Sequence, residues 1–228
     1  MRRVLFSWHG VNVPSYPAML YVGLLCGVYA GYGVATSMPI DPDRASLALL
    51  ILIAPALVGS RLWFVLSHWE VFRREPRRIW RRGDGGAALV GGLLLAVAVS
   101  PAVLAGLGLP FAAFWDVATF TMLVGMVFTR VGCLLNGCCA GRPSDGRVAL
   151  HLPDHAGRWE RRHPVQLLEL AAAVTLLAGA AAIATAPPFP GAIFVFALAG
   201  YGCVRSILNP LRETHGTRKE LECRTGSF

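Results

Sequence analysis

Apolar residues run along this chain in six long blocks separated by short polar interruptions. Stretches long enough to cross ~30 Å of hydrocarbon occur at about 17–37, 45–67, 86–109, 111–129, 165–186 and 189–208. A backbone inside hydrocarbon has to satisfy its own hydrogen bonds, so each block is expected to be helical. The pattern therefore predicts an all-α, polytopic membrane protein: one membrane domain over residues 1–228, with a polar loop or head region at 130–163. Gly-Leu-Pro at 108–110 and Pro-Pro-Phe-Pro at 187–190 are tight reversals, so each flanking pair of spans should form an antiparallel hairpin.

Composition supports the same class. Only 15% of the 228 residues are charged and 55% are hydrophobic, whereas a soluble domain carries roughly a quarter charged residues. The net charge of +8 is almost entirely arginine, with Lys219 the single lysine. Those arginines sit in two inter-span loops: Arg73, Arg74, Arg77, Arg78, Arg81 and Arg82 in one, Arg130, Arg142, Arg147, Arg158, Arg161 and Arg162 in the other. Short basic loops set membrane orientation and contact anionic lipids, so nucleic acid is not an expected partner. With six spans these loops and both termini share one side, and the opposite loops offer only Arg44. Charge bias alone places the basic side in the cytoplasm. The basic start Met1-Arg2-Arg3 precedes no small-residue cleavage site, so no removable signal peptide is expected.

Candidate chemistry lies where polar residues interrupt the apolar blocks. Arg130 enters as the fourth block leaves the membrane, and a guanidinium beside hydrocarbon stays charged and is costly there. Gly132, Asn136, Gly137 and Gly141 follow it, a tightly turning polar backbone able to approach an anionic group. Together they suggest a site for a lipid phosphate. Arg61, Asp116, Glu169 and Arg205 are the other ionisable groups in or at the ends of spans. Each either lines a site or is held in an internal ion pair, for example Arg61 with Asp116 or Glu169. Gly23, Gly27, Gly31 and Gly33 permit close helix packing; Gly91 and Gly92 either do the same or, like Gly85 and Gly86, leave room for a headgroup.

Six cysteines are present, of which Cys26 and Cys203 read as small core residues inside apolar blocks. Cys133, Cys138 and Cys139 form a cluster with spacings of five and one, unlike zinc ligand pairs two to four apart. Adjacent cysteines rarely share one ion, and His151 and His155, which would complete a set, lie on a proline-bounded loop. No metal and no cofactor are expected. A disulfide between one pair of the three is the stronger alternative.

The order of these motifs resembles the prolipoprotein diacylglyceryl transferase family across roughly residues 14–213. Tyr16-Pro17-Ala18-Met19 resembles the tyrosine-bearing start of the family's first span, and Gly59-Ser60-Arg61-Leu62-Trp63-Phe64 its Gly-Ala-Arg-aromatic segment. Gly85-Gly86 with Gly91-Gly92 resembles the paired-glycine third span, and Phe114-Trp115-Asp116 the start of the fourth. Arg130, Gly132, Asn136, Gly137, Gly141 and Arg142 stand where the family signature Gly-Arg-x-Gly-Asn-Phe-x-Asn-Gly-Glu-x-x-Gly-Arg has the same residues. His163-Pro164-Val165-Gln166-Leu167-Leu168-Glu169 and Tyr201-Gly202-Cys203-Val204-Arg205 resemble two further motifs. The chain departs from the family in having Val90 where a histidine or tyrosine is usual, Cys133 for the signature's first Asn and Cys138 for its Glu. It stops at Phe228, short of the final span that typical members carry.

The resemblance implies transfer of diacylglycerol from phosphatidylglycerol to the lipobox cysteine thiol of a preprolipoprotein, at a bacterial cytoplasmic (inner) membrane, releasing glycerol phosphate. It also implies that the signature face and N-terminus lie outside the cytoplasm, against the charge bias, and the motifs are the more specific guide. Arg130, Arg205 and Tyr16 are then the expected catalytic residues. Asn136, Gly141, Arg61, Asp116, Gly91, Gly92, His163 and Glu169 are the expected substrate contacts, amid other membrane lipids. Tyr16, Asp116, Glu169 and His163 are candidate bases for the acceptor thiol; alternatively Arg130 and Arg205 lower that thiol's pKa without a dedicated base. Two other classes remain open: a non-catalytic or retargeted protein of the same family that binds anionic lipid, and a thiol-redox membrane protein using the three cysteines.

Overall fold

A computed structural model describes residues 4–8, 11–73, 89–139, 141–146, 148–153 and 159–212. Arg74, Arg77, Arg78, Arg81, Arg82, Gly85, Gly86, Arg147, His155, Arg158 and Lys219 lie outside the described residues. The elements in chain order are strands β1 (Val4–Trp8) and β2 (Val11–Pro14), then helices α1 (Ser15–Ala35), α2 (Pro42–Ser67) and the short α3 (Trp69–Phe72). Helices α4 (Leu89–Leu107) and α5 (Phe111–Asn136) follow, then strands β3 (Leu150–Pro153) and β4 (Trp159–Arg162), and helices α6 (Val165–Ala184) and α7 (Ala192–Leu208).

Six of these helices are long and apolar enough to cross a membrane, in the expected order. No more than 39% of any of their apolar windows is buried inside the protein. Leu25, Tyr29, Leu57 and Ile207 are each at least 66% exposed, an arrangement water would penalise and a bilayer accommodates. The chain is a polytopic all-α membrane protein. The small strands form two antiparallel hairpins, β1 with β2 and β3 with β4, outside the spans.

One boundary differs in a way that matters. The apolar run ends at Phe128, yet α5 continues to Asn136. Arg130 and Cys133 are therefore helical residues, three apart on one face, rather than members of a loop. Apolar periodicity fails to reveal the extension because the added turns carry Thr129, Arg130, Gly132 and Asn136.

The described residues within Met1–Ala45 and Ala112–Glu213 form one compact unit, and those within Ser46–Phe111 a second. In the first, α1 lies against α5 through its glycine stripe. A Cβ on Gly27 would stand 2.5 Å from the Thr121 carbonyl oxygen, and one on Gly23 would stand 2.8 Å from the Phe128 Cβ. Phe120 and Leu123 of α5, Leu176 and Ala180 of α6, and Ile193 and Ala197 of α7 form the apolar core. Asp116, buried in α5, accepts from the N–H groups of Gly191 (2.7 Å) and Phe194 (3.0 Å). It caps the otherwise unsatisfied N-terminus of α7, where a carboxylate is favoured by the helix dipole.

In the second unit α2 and α4 meet at Gly59 and Gly91, where a Cβ on Gly91 would collide with Trp63 and the Gly59 carbonyl. Backbones that close gain dispersion contacts that lipid tails cannot supply at the same density. The glycine is thus required for packing. Gly91→Leu should lower stability by about 1–3 kcal/mol through overpacking. Gly33→Ala, with open space around the new Cβ, should leave stability unchanged or raise it. Thermal unfolding in detergent reads both.

Candidate functional site

The site is built at the end of α5 and the starts or ends of α1, α6 and α7. Gly132 brings α1 close: a Cβ there would lie 3.1 Å from the Met19 Cβ and 3.6 Å from the Tyr16 ring. That approach places the half-buried Tyr16 beside Arg130 and the cysteines. On α6, Gln166 and Glu169 are one turn apart on the same face, both buried. Arg205 ends α7, and the turn Asn209–Leu211 carries the chain on to Arg212.

Glu169 is the centre of this arrangement. Its carboxylate, 5% exposed, lies 2.9 Å from the Arg130 guanidinium, 3.3 Å from that of Arg205 and 3.0 Å from that of Arg212. Arg205 and Arg212 share one oxygen and Arg130 faces the other. The Tyr201 side chain lies beside Arg130. Among the described residues, three guanidiniums face one carboxylate, an excess of two positive charges at the end of membrane-crossing helices. Among the described residues, the buried Nε of Arg130 finds no hydrogen-bond acceptor. Its contact with Glu169 Oε2 is a charge contact without an aligned hydrogen bond. A buried donor without an acceptor is costly, and an incoming anion relieves that cost.

Backbone bonds stitch the surrounding loops into a frame for Arg212. The Arg142 N–H donates to the Leu211 carbonyl (2.9 Å), and Arg142 Nε donates to the Arg212 carbonyl (3.1 Å). The His163 N–H donates to the Arg142 carbonyl (3.1 Å). Gly141 makes the approach feasible, because a Cβ there would collide with the His163 carbonyl. The buried Arg162 donates to the Gly141 carbonyl (3.4 Å) and pairs with Glu160 at 2.7 Å.

Beyond α5 the chain turns through Gly137 and Cys139, both in the left-handed region. Gln166 donates to the carbonyls of Cys133 (3.5 Å) and Cys138, which fixes this turn against α6. The Asn136 side chain lies beside the Cys138 thiol, which donates to the Cys133 carbonyl at 3.8 Å. The described cysteines are free thiols, so none of them forms the disulfide considered from sequence. The sulfurs of Cys133, Cys138 and Cys139 nevertheless all lie within 4.8 Å of one another. Contacts from the Cys133 and Cys138 thiols, aided by Arg212 and Arg130, hold the Cys139 thiol well below its ordinary range against the opposing effect of burial. Cys26 is half-buried and Cys203 exposed, so the latter is no core residue.

Of the residues singled out from sequence, Tyr16, Arg130, Asn136, Gly141, His163, Glu169 and Arg205 belong to this assembly. Glu169 pairs with three arginines of its own unit, and Asp116 caps α7. Arg61, Gly91 and Gly92 belong to the second unit, where Arg61 lies over the rings of Phe64 (5.6 Å) and Phe72 (5.8 Å). Val90 is exposed on the first turn of α4. Arg212 and Gln166 escaped the sequence reading. Gln166 stood in a recognised motif beside Glu169, but nothing local marks Arg212 apart from its position just past the last span.

Six helices long and apolar enough to cross a membrane, with an arginine cluster anchored on a buried carboxylate at their ends, define a polytopic membrane protein. The model of the prolipoprotein diacylglyceryl transferase family matches residues 3–227, and the chain belongs to that family. Among its relatives is phosphatidylglycerol–prolipoprotein diacylglyceryl transferase 2 of Clostridium perfringens, 24% identical over 163 residues, which are 67% of this chain and 60% of the relative. The enzymes of that name, without the numeral, from Bacillus mycoides and Thermoanaerobacter sp. strain X514 are each 28% identical. The matches cover 64% and 73% of this chain and 53% and 61% of the relatives. The chain thus spans between half and two thirds of the length of these relatives.

Removing the central carboxylate should leave three guanidiniums facing one another. Glu169→Ala is expected to cost about 3–5 kcal/mol, mostly through Arg130 and Arg212, since Arg205 is 42% exposed and screened. Inorganic phosphate should recover part of the loss in thermal unfolding, whereas chloride at equal ionic strength should not.

Proposed function

We propose that this chain transfers the diacylglyceryl group of phosphatidylglycerol to the lipobox cysteine thiol of a preprolipoprotein, within the bacterial cytoplasmic membrane. The observation that carries this reading is the set of three arginines gathered on Glu169, in a chain whose relatives bear the name of that activity. A phosphodiester headgroup entering from the lipid side meets, among the described residues, an excess of two positive charges and an Arg130 Nε with no acceptor. Its diacylglyceryl tail can remain among the exposed apolar faces of the helices.

The chemistry follows from charge. Attack of the acceptor sulfur on the glyceryl carbon forms a C–S bond and breaks the C–O bond to phosphate. The departing glycerol phosphate gains a negative charge as that bond breaks. Arg130, Arg205 and Arg212 stabilise that charge more strongly than the single charge of the bound lipid, which is how a preorganised cluster lowers a barrier. Asn136 and the backbone around Gly141 supply further donors at the phosphate, and Tyr16 and Tyr201 flank the clamp. His163, fixed against Gly141, borders the acceptor side.

Arg130→Ala should lower turnover on phosphatidylglycerol vesicles by about 10²–10³-fold. Arg130→Lys should recover little of it, because an ammonium cannot reach Glu169 and a phosphate in the same fork. Complementation of a transferase-depleted bacterium by the wild-type chain but not by Arg130→Ala is the expected outcome. Equal growth with both would remove the clamp from the mechanism.

A further inference from the structure

The transferase reading leaves one chemical requirement open, the removal of a proton from the acceptor thiol. A free thiol near pKa 8.5 is mostly protonated at neutral pH. Guanidiniums accept no proton, Asp116 is committed to α7, and Glu169 is held by three cations, so of the four carboxylate, phenol and imidazole candidates only Tyr16 and His163 stand uncommitted. Beside the clamp, however, three cysteine sulfurs converge within 4.8 Å. Cys133 is buried, Cys138 and Cys139 half-buried, and the peptide carbonyls that position the first two are both held by the buried Gln166 amide.

We infer that Cys133, Cys138 and Cys139 bind a zinc ion in a three-sulfur site, whose fourth position takes the acceptor cysteine as a thiolate. This rests on the transferase reading for its role, though not for the binding itself. Zinc–sulfur bonds of ~2.3 Å set sulfurs about 3.8 Å apart in a tetrahedral arrangement, so a contraction of about 1 Å closes the site. Three protein ligands with one open position is the pattern of catalytic rather than structural zinc. Adjacent ligands are awkward in a regular helix or strand, but Cys133 lies in the last turn of α5 and Cys139 is in the left-handed conformation. The chain reversal between them is what lets spacings of five and one converge.

The charges also fit. Three thiolates around Zn²⁺ carry one negative charge, and a fourth thiolate makes it two. Arg130 and Arg212 lie near enough to act on Cys139, and among the described residues their cluster carries an excess of two positive charges. A thiol bound to the ion is deprotonated outright, its proton passing to solvent. Its sulfur then attacks the glyceryl carbon, the C–O bond breaks, and glycerol phosphate departs onto the arginines. The thioether product is a weaker ligand than the thiolate and leaves the ion.

The test uses the full chain in nanodiscs, loaded with Co²⁺ as a spectroscopic substitute for Zn²⁺. The wild-type chain should bind one ion, with sulfur-to-cobalt charge transfer and tetrahedral d–d bands. Each single Cys→Ser change at positions 133, 138 and 139 should weaken those bands, and Arg130→Ala should keep them. A lipobox peptide should intensify the charge-transfer band, and its Cys→Ser analogue should not. Chelation should reduce transfer to background, and Zn²⁺ should restore it. Full transfer by metal-free wild-type protein would overturn the zinc site and leave the transferase standing. A bound ion that no peptide perturbs, in a chain that makes no thioether at any metal load, would overturn both the activating role and the transferase reading.

Discussion

A buried carboxylate surrounded by three guanidiniums is the constraint on which the rest of the site depends. Arginine is expensive near hydrocarbon, and three arginines at the end of adjacent spans would repel one another without an anion between them. Glu169 supplies that anion from a position one turn inside α6, where it reaches the last turns of α5 and α7 and the segment beyond α7. It lowers the cluster's charge without neutralising it. The residual positive charge is what distinguishes a binding site from a structural ion pair. A phosphate can share the guanidiniums with the carboxylate, because each offers five donors.

The scaffold can be read backwards from this point. Arg130 reaches Glu169 only because α5 runs two turns past its apolar block, and those turns are held to α1 through Gly132. Arg212 is presented by a short turn after α7 and by backbone bonds from Arg142. The starting point of α7 is in turn set by Asp116, which clamps its N-terminus at the opposite end of the helix from the arginines. A membrane protein without a large hydrophobic driving force between its helices relies on such close approaches and caps.

Much of this was legible in the chain. Span number and order follow from apolar run length, and Arg130, Glu169 and Arg205 stand out because ionisable residues beside hydrocarbon require partners. Pairing was not legible. Asp116 and Glu169 are equivalent as carboxylates near span starts, yet one caps a helix and the other gathers arginines, a difference decided by tertiary register. Arg212 carried no local signal, since one more arginine after the last span reads as orientation charge. The convergence of the three cysteines was not legible either. Spacing rules assume regular backbone between ligands, and the left-handed Cys139 after Gly137 folds the three sulfurs together regardless.

In the proposed reaction this cluster holds a phosphodiester while a thiol displaces the diacylglyceryl group. Mass spectrometry of a lipobox peptide incubated with the purified wild-type chain in vesicles tests it directly. The peptide cysteine should gain one diacylglyceryl mass in phosphatidylglycerol vesicles, with glycerol phosphate released in equal amount. An unmodified peptide, from folded protein that binds the same vesicles, would contradict it.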